Sequence, residues 1–147
     1  MAYMSADHKV ILILEDNPDI TSLIRLVLRK APADLLHATT AIEAWAQIAK
    51  QKPDLILLDM MLPGISGLDF LAELRSEEAY KLLPVIVVSI RADTVFRRRA
   101  QELGVARYLL KPFSPAVLRQ EVEQALGVDW KSFWSKSTNG LSDIKEK

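Results

Sequence analysis

The sequence predicts an α/β fold: five βα units whose strands form one parallel, doubly wound sheet in a three-layer sandwich. Three observations lead there. Val10–Leu14, Leu55–Leu58 and Val85–Val88 are short runs, apolar throughout, the first and third rich in β-branched residues, as strands buried on both faces are. Between them lie segments with apolar residues at helical spacing. The two kinds of segment alternate along the chain, which calls for parallel pairing with right-handed crossovers.

Composition narrows the function classes. At 147 residues the chain makes one domain of ordinary size with a real core. Its 19 Lys and Arg balance 19 Asp and Glu, so no net field favours nucleic acid or an anionic membrane. The lack of cysteine excludes disulfides, thiolate chemistry and cysteine-type zinc sites. No apolar run approaches the roughly 20 residues of a membrane span. The first residues, Met1 to Lys9, lack the apolar core of a secretory signal, so the expected location is cytoplasmic.

Taken in order, Val10–Leu14 is a central strand that stops at Glu15 and Asp16. Asn17 and Pro18 suit a helix start, and Ile20, Leu23, Ile24, Val27 and Leu28 continue it to the break at Pro32. Leu35, Leu36 and Ala38 make a weak second strand. Thr39 or Thr40 caps a second helix carrying Ile42, Trp45, Ala46, Ile48 and Ala49, and Pro53 closes it before the strand Leu55–Leu58. That strand ends on Asp59, with turn chemistry following at Pro63, Gly64 and Gly67. Gly67 opens a third helix with Leu68, Leu71, Ala72 and Leu74 on one face. Pro84 introduces Val85–Val88, which ends on Ser89. Asp93 or Thr94 caps a fourth helix with Val95, Phe96, Ala100 and Leu103 inward and Arg97, Arg98 and Arg99 mostly outward; Gly104 terminates it. A short strand, Ala106 to Leu110, runs into Lys111-Pro112, and a fifth helix spans about Ser114 to Leu126 before Gly127.

Ligands of a doubly wound sheet bind outside the carboxyl ends of its strands. Here the first, third, fourth and fifth strands end on Glu15-Asp16, Asp59, Ser89 and Lys111. Three carboxylates at one edge repel one another unless a cation holds them. A hard divalent ion such as Mg²⁺ takes oxygen ligands and is often completed by a phosphate. Lys111 adds a positive charge and Ser89 a hydroxyl donor, both suited to a phosphoryl group, so the set describes phosphoryl transfer. Singly, each residue has an ordinary alternative: Asp16 as a helix cap, Asp59 as the start of a loop, Ser89 and Lys111 as polar strand ends. The combined chemistry rests on their meeting at one edge.

From Lys9 to Gly127 the chain resembles the receiver domain of bacterial two-component response regulators. The acidic pair Glu15 and Asp16, Asp59 followed by Pro63 and Gly67, Ser89, and Tyr108 three residues before Lys111-Pro112-Phe113 carry the likeness. It implies a flavodoxin-like sheet of order 2-1-3-4-5 and a cis bond before Pro112. It makes Asp59 the phosphoacceptor, attacking the phosphohistidine of a sensor histidine kinase or histidine phosphotransfer protein. Asp16, Asp59 and the backbone carbonyl of Met61 would hold Mg²⁺, with Glu15 acting mainly through water. Lys111 would pair with the carboxylate or the phosphoryl oxygens. Ser89 and Tyr108 would form the switch, altering the surface of the fourth helix, fifth strand and fifth helix for a downstream protein or a homodimer. By the same likeness the protein is not a turnover enzyme.

Within that pattern Ile90 is bulkier than the usual small residue and narrows access to Asp59. Met61 and Arg91 stand where such domains tune the lifetime of the acyl phosphate, and an apolar Met61 favours a long one. Ser66 stands where an acidic or amide cap is common and serves equally well. The three arginines read as a solvated face of the signalling surface rather than a nucleic-acid patch. Residues 1–8 form an extension and residues 128–147 a tail too short for an effector domain. Trp130, Phe133 and Trp134 fall on one helical face of that tail, either packed on the body or reserved for a dimer or kinase contact, and Asn139 to Lys147 looks frayed.

Three other readings compete. A phosphohydrolase of the haloacid-dehalogenase kind requires a second Asp where Met61 stands. A dinucleotide-binding fragment requires a glycine pattern that does not follow the first strand. A receiver-like docking module that is never phosphorylated has no need of the complete site.

Overall fold

In a computed structural model of the chain, residues 8–91 and 93–135 are described. Five parallel strands, β1 (Lys9–Leu14), β2 (Ala33–Ala38), β3 (Leu55–Leu58), β4 (Val85–Ser89) and β5 (Arg107–Leu110), form one sheet in the order 2-1-3-4-5. Helices α1 (Pro18–Leu28), α2 (Ala41–Lys50), α3 (Gly67–Ser76), α4 (Thr94–Glu102) and α5 (Pro115–Leu126) make the crossovers, and α6 (Lys131–Trp134) adds one turn. No helix among the described residues is long and apolar enough to cross a membrane.

The strands alternate between two cores. Leu12, Leu14, Ile56, Leu58, Val85 and Val87 face α2, α3 and α4, whereas Ile11, Ile13, Leu55, Leu57, Ile86 and Val88 face α1 and α5. Both sets are buried, which is why each strand reads as a continuous apolar run. Every one of the five long helices begins on a side-chain cap: Asn17, Thr40, Ser66, Asp93 and Ser114 each accept a first-turn amide.

Several details depart from the sequence reading. Val95 is 71% exposed rather than inward, because the buried stripe of α4 runs through Phe96, Ala100 and Leu103, and Val95 lies one position, about 100°, off it. Ile42 is turned out by the same offset from Ala41, Ala44 and Ile48. Strand β2 extends back to Ala33 because it pairs along the whole of β1, and β5 starts at Arg107. A 3-10 turn at Glu78–Tyr80 follows α3 where the sequence reading has only a loop.

Arg75 closes the edge of the sheet away from the strands' carboxyl ends. Its half-buried guanidinium donates to the carbonyls of Leu103 (2.6 Å), Leu83 (2.8 Å), Tyr80 (3.1 Å) and Gly104 (3.1 Å). One cation thereby ties the end of α3 to the loops before β4 and β5, and burial lowers its pKa from the ordinary arginine value.

The aromatic tail packs on the body, and among its described residues one turn is helical, with Trp130 as that turn's cap rather than a member of its face. Trp130 is fully buried in the α1–α5 core. Glu123 of α5, itself buried, accepts the Trp130 amide at 3.0 Å and the Trp134 indole N–H at 2.7 Å, with the Lys131 ammonium 3.6 Å away. The two indoles meet edge-on, their centroids 5.9 Å apart. Asn139 to Lys147 lie outside the described residues.

Two outcomes are expected in urea unfolding. Trp130→Ala should cost about 3–5 kcal/mol, the range for deleting a buried indole; a loss under about 1 kcal/mol would show that the tail is not part of the core. Gly67 packs so tightly that an added Cβ would lie 2.6 Å from both the Asp59 carbonyl oxygen and Met60 Cα. Gly67→Ala should therefore cost about 1–3 kcal/mol through overpacking, and unchanged stability would contradict that fit.

Candidate functional site

The register of the sheet builds the site. Leu14 pairs with Leu58 and Leu58 with Val87, so the next residues on β1 and β3, Glu15 and Asp59, emerge side by side. The Asp59 amide donates to the Leu14 carbonyl at 3.0 Å, fixing the first residue of the loop as firmly as the strand before it. Ser89 pairs with Leu110, and the Lys111 amide then donates to the Ser89 carbonyl at 2.9 Å. The Lys111-Pro112 peptide is cis.

Carboxylate oxygens of Glu15, Asp16 and Asp59 all lie within 4.8 Å of one another. Glu15 and Asp59 are buried and Asp16 is exposed. Lys111 reaches the group from β5, its ammonium 3.0 Å from Glu15 Oε1 and 3.7 Å from Asp59 Oδ2. The Asn17 amide donates to Glu15 Oε2 at 3.2 Å, and the Met61 amide donates to Asp59 Oδ1 at 3.1 Å. Burial raises the Glu15 pKa above the usual carboxylate value, the Asp59 charge adds to that, and the Lys111 ammonium and Asn17 amide oppose it.

One ammonium facing three carboxylates leaves an excess of negative charge. The donors are all hard oxygens, with no imidazole or thiolate among them, and Asp16 opens to solvent. That set fits Mg²⁺, which keeps several waters and takes one or two carboxylates. The group lines an open cleft of about 440 Å³ whose other walls include Met61, Ile90 and Pro112.

Ser89 and Tyr108 meet one strand further along. Ser89 is fully buried, and its hydroxyl oxygen accepts the Arg91 amide at 3.0 Å. The Tyr108 hydroxyl donates to the carbonyl of the same Arg91 at 2.8 Å. Burial raises the pKa of that phenol. Arg97 lies over its ring at 5.0 Å, while Arg91 pairs with Asp93 at 2.7 Å and covers the Phe96 ring at 3.8 Å. The polar side chains singled out at the strand ends therefore fall in two linked groups, the acids with Lys111 and the Ser89–Arg91–Tyr108 set, while Met61 and Ile90 line the cleft beside the acids. Asn17 was read only as a helix cap; its second task, an amide on Glu15, left no mark in residue type.

The response regulator receiver domain family matches residues 11–123. The phosphate regulon transcriptional regulatory protein PhoB of Pseudomonas aeruginosa is 36% identical over 118 residues, which are 80% of this chain and 52% of that protein. The chain spans about half the length of this and other curated relatives it matches. A putative response regulator from Chloroflexus aurantiacus superposes with a TM-score of 0.76 at 32% identity, covering 81% of this chain and 98% of that one. The receiver domain of the Pseudomonas aeruginosa sensor histidine kinase PA1611, solved with a magnesium ion coordinated in its active-site cleft, superposes at 0.73 with 29% identity, covering 82% and 98%. Sheet order, site geometry and matched span agree: this chain belongs to the receiver domain family of two-component response regulators.

Proposed function

We propose that the protein signals as a phosphoacceptor, Asp59 taking a phosphoryl group from the phosphohistidine of a sensor histidine kinase or histidine phosphotransfer protein. The observation that carries this is the setting of Asp59. It is 5% exposed, it lines an open cleft, one of its oxygens is held by the Met61 amide, and two further carboxylates and an ammonium lie beside it. In the transfer an Asp59 carboxylate oxygen bonds to phosphorus as the P–N bond breaks, and the bonding pair leaves on the imidazole nitrogen. The product is an acyl phosphate.

Asp16, Asp59 and the Met61 backbone carbonyl would hold Mg²⁺, with Glu15 acting through water. When bound, the ion neutralises charge on the phosphoryl oxygens. Lys111, already between Glu15 and Asp59, supplies a second positive charge to the incoming group. Ser89 accepts from Arg91, which leaves its own proton for a phosphoryl oxygen. If its hydroxyl turns to the phosphoryl group, the Arg91 amide loses an acceptor, and the Tyr108 hydrogen bond to Arg91 carries the change to β5. The signalling surface is then α4, β5 and α5, where a downstream protein or a second copy of the chain docks. Residues 9–127 act as the receiver unit. The cytoplasm is the compartment in which a kinase and this chain would meet.

Incubation with Mg²⁺ and acetyl phosphate, followed by intact-mass measurement, should show one added phosphoryl group, lost in Asp59→Asn and when Mg²⁺ is chelated. Modification that persists in Asp59→Asn, or phosphate release with steady turnover, would overturn the proposal. Met61 is half-exposed at the cleft and offers an attacking water no side-chain hydrogen bond. Met61→Asn should shorten the life of the phosphorylated form by roughly 3- to 10-fold, the effect of one added hydrogen bond. An unchanged decay rate would remove Met61 from that role.

A further inference from the structure

We infer that His37 is a positioning residue for the acidic pair, clamping the β1–α1 loop so that Glu15 and Asp16 are preset for a divalent cation. The inference rests on the reading of that pair as part of a Mg²⁺ site. It starts from the end of the β1–β2 ladder, where Ile13 pairs with His37 and Leu14 with Ala38. The Glu15 amide still donates to the Ala38 carbonyl at 3.1 Å. Beyond that point β2 stops and the chain turns into α2, so β2 continues no further past the Glu15 carbonyl. The His37 side chain fills the place: its Nε2 lies 2.9 Å from that carbonyl oxygen.

A carbonyl oxygen carries no proton, so Nε2 is the donor and the neutral ring is held as the Nε2–H tautomer. A protonated ring offers the same N–H, which makes the clamp indifferent to the charge of the imidazole. The same nitrogen lies 3.2 Å from Thr21 Oγ1. Thr21 is buried in the first turn of α1, and its hydroxyl and amide both donate to the Asn17 carbonyl, at 3.2 and 3.1 Å. Asn17 in turn caps α1 and donates its amide to Glu15 Oε2. Asp16 therefore sits between two residues, Glu15 and Asn17, that one imidazole ties together through Thr21.

The clamp opposes a definite force. Three carboxylates within 4.8 Å share one ammonium, Lys111, so the charge left over pushes the β1–α1 loop away from Asp59 when no divalent cation is bound. A loop fixed against that repulsion keeps its oxygens where a cation needs them, as outer partners of metal ligands do elsewhere. A half-buried histidine with no part in the site would matter to stability alone.

The test is the Mg²⁺ dissociation constant by isothermal titration calorimetry, together with the thermal unfolding midpoint in the absence of Mg²⁺. Both are measured for the parent chain, His37→Gln, His37→Asn, His37→Leu and, as a control on the site, Asp16→Ala. The amide nitrogen of Gln falls close to the position of Nε2, whereas that of Asn is one methylene short. His37→Asn and His37→Leu should weaken Mg²⁺ binding on the order of tenfold, and His37→Gln should restore it to within roughly twofold. The inference is overturned if folded His37→Asn binds Mg²⁺ like the parent, or if His37→Gln is as weak as His37→Asn. Should His37→Leu fail to fold, the Gln and Asn pair still decides. Parent-like binding by Asp16→Ala is the separate outcome that removes the acidic-pair reading itself.

Discussion

The interaction on which the rest depends is the contact of Lys111 with Glu15 and Asp59. A lysine 12% exposed is set 3.0 Å from one buried carboxylate and 3.7 Å from another. Burial of such charges is favourable only where each is paired and hydrogen-bonded. Glu15 meets that condition with the ammonium and the Asn17 amide, Asp59 with the Met61 amide and the more distant ammonium. The partners follow three strands, β1, β3 and β5, so the charge set can form only when β1, β3, β4 and β5 have assembled in that order. The site is in this sense a property of the sheet's topology, and its excess of negative charge suits a divalent cation.

Much of this was legible in the sequence because parallel strands announce themselves as apolar runs and their last residues carry the chemistry. Asp59, Ser89 and Lys111 follow such runs directly, and no knowledge of contacts was needed to place them at one edge. Amphipathic details were less legible. Val95 and Ile42 look apolar enough to be inward, yet each sits one position off the buried stripe, and an error of one residue on a helix is an error of about 100°. Interactions made by backbone groups left no trace in residue type. The Asn17 and Met61 amides on the acids, and the Glu15 carbonyl that receives His37, are set by the fold and not by the side chain at those positions.

The aromatic tail shows the limit of periodicity in another way. Spacing put Trp130, Phe133 and Trp134 on one helical face, but it did not say which surface covers them. The answer lies in Glu123, which on α5 reads as one more charged residue of a solvent-facing helix. Its carboxylate is the common acceptor for the Trp130 amide and the Trp134 indole, and with Arg119 over the Trp134 ring it extends the α1–α5 core past Gly127. The core of the protein is larger than the five βα units alone.

The uniform apolar character of β1, β3 and β4 also bears on how the strands find their pairing. Where strands alternate apolar and polar residues, a slip by one residue turns polar groups inward and is penalised along the whole strand. Here such a slip within Leu55–Leu58 would exchange one buried aliphatic residue for another and change little. What it would change is the end: Asp59 would be displaced by about 3.3 Å along the sheet, away from the Met61 amide and Lys111. The same side chains that form the site thus act as alignment marks for strands whose interiors are nearly interchangeable.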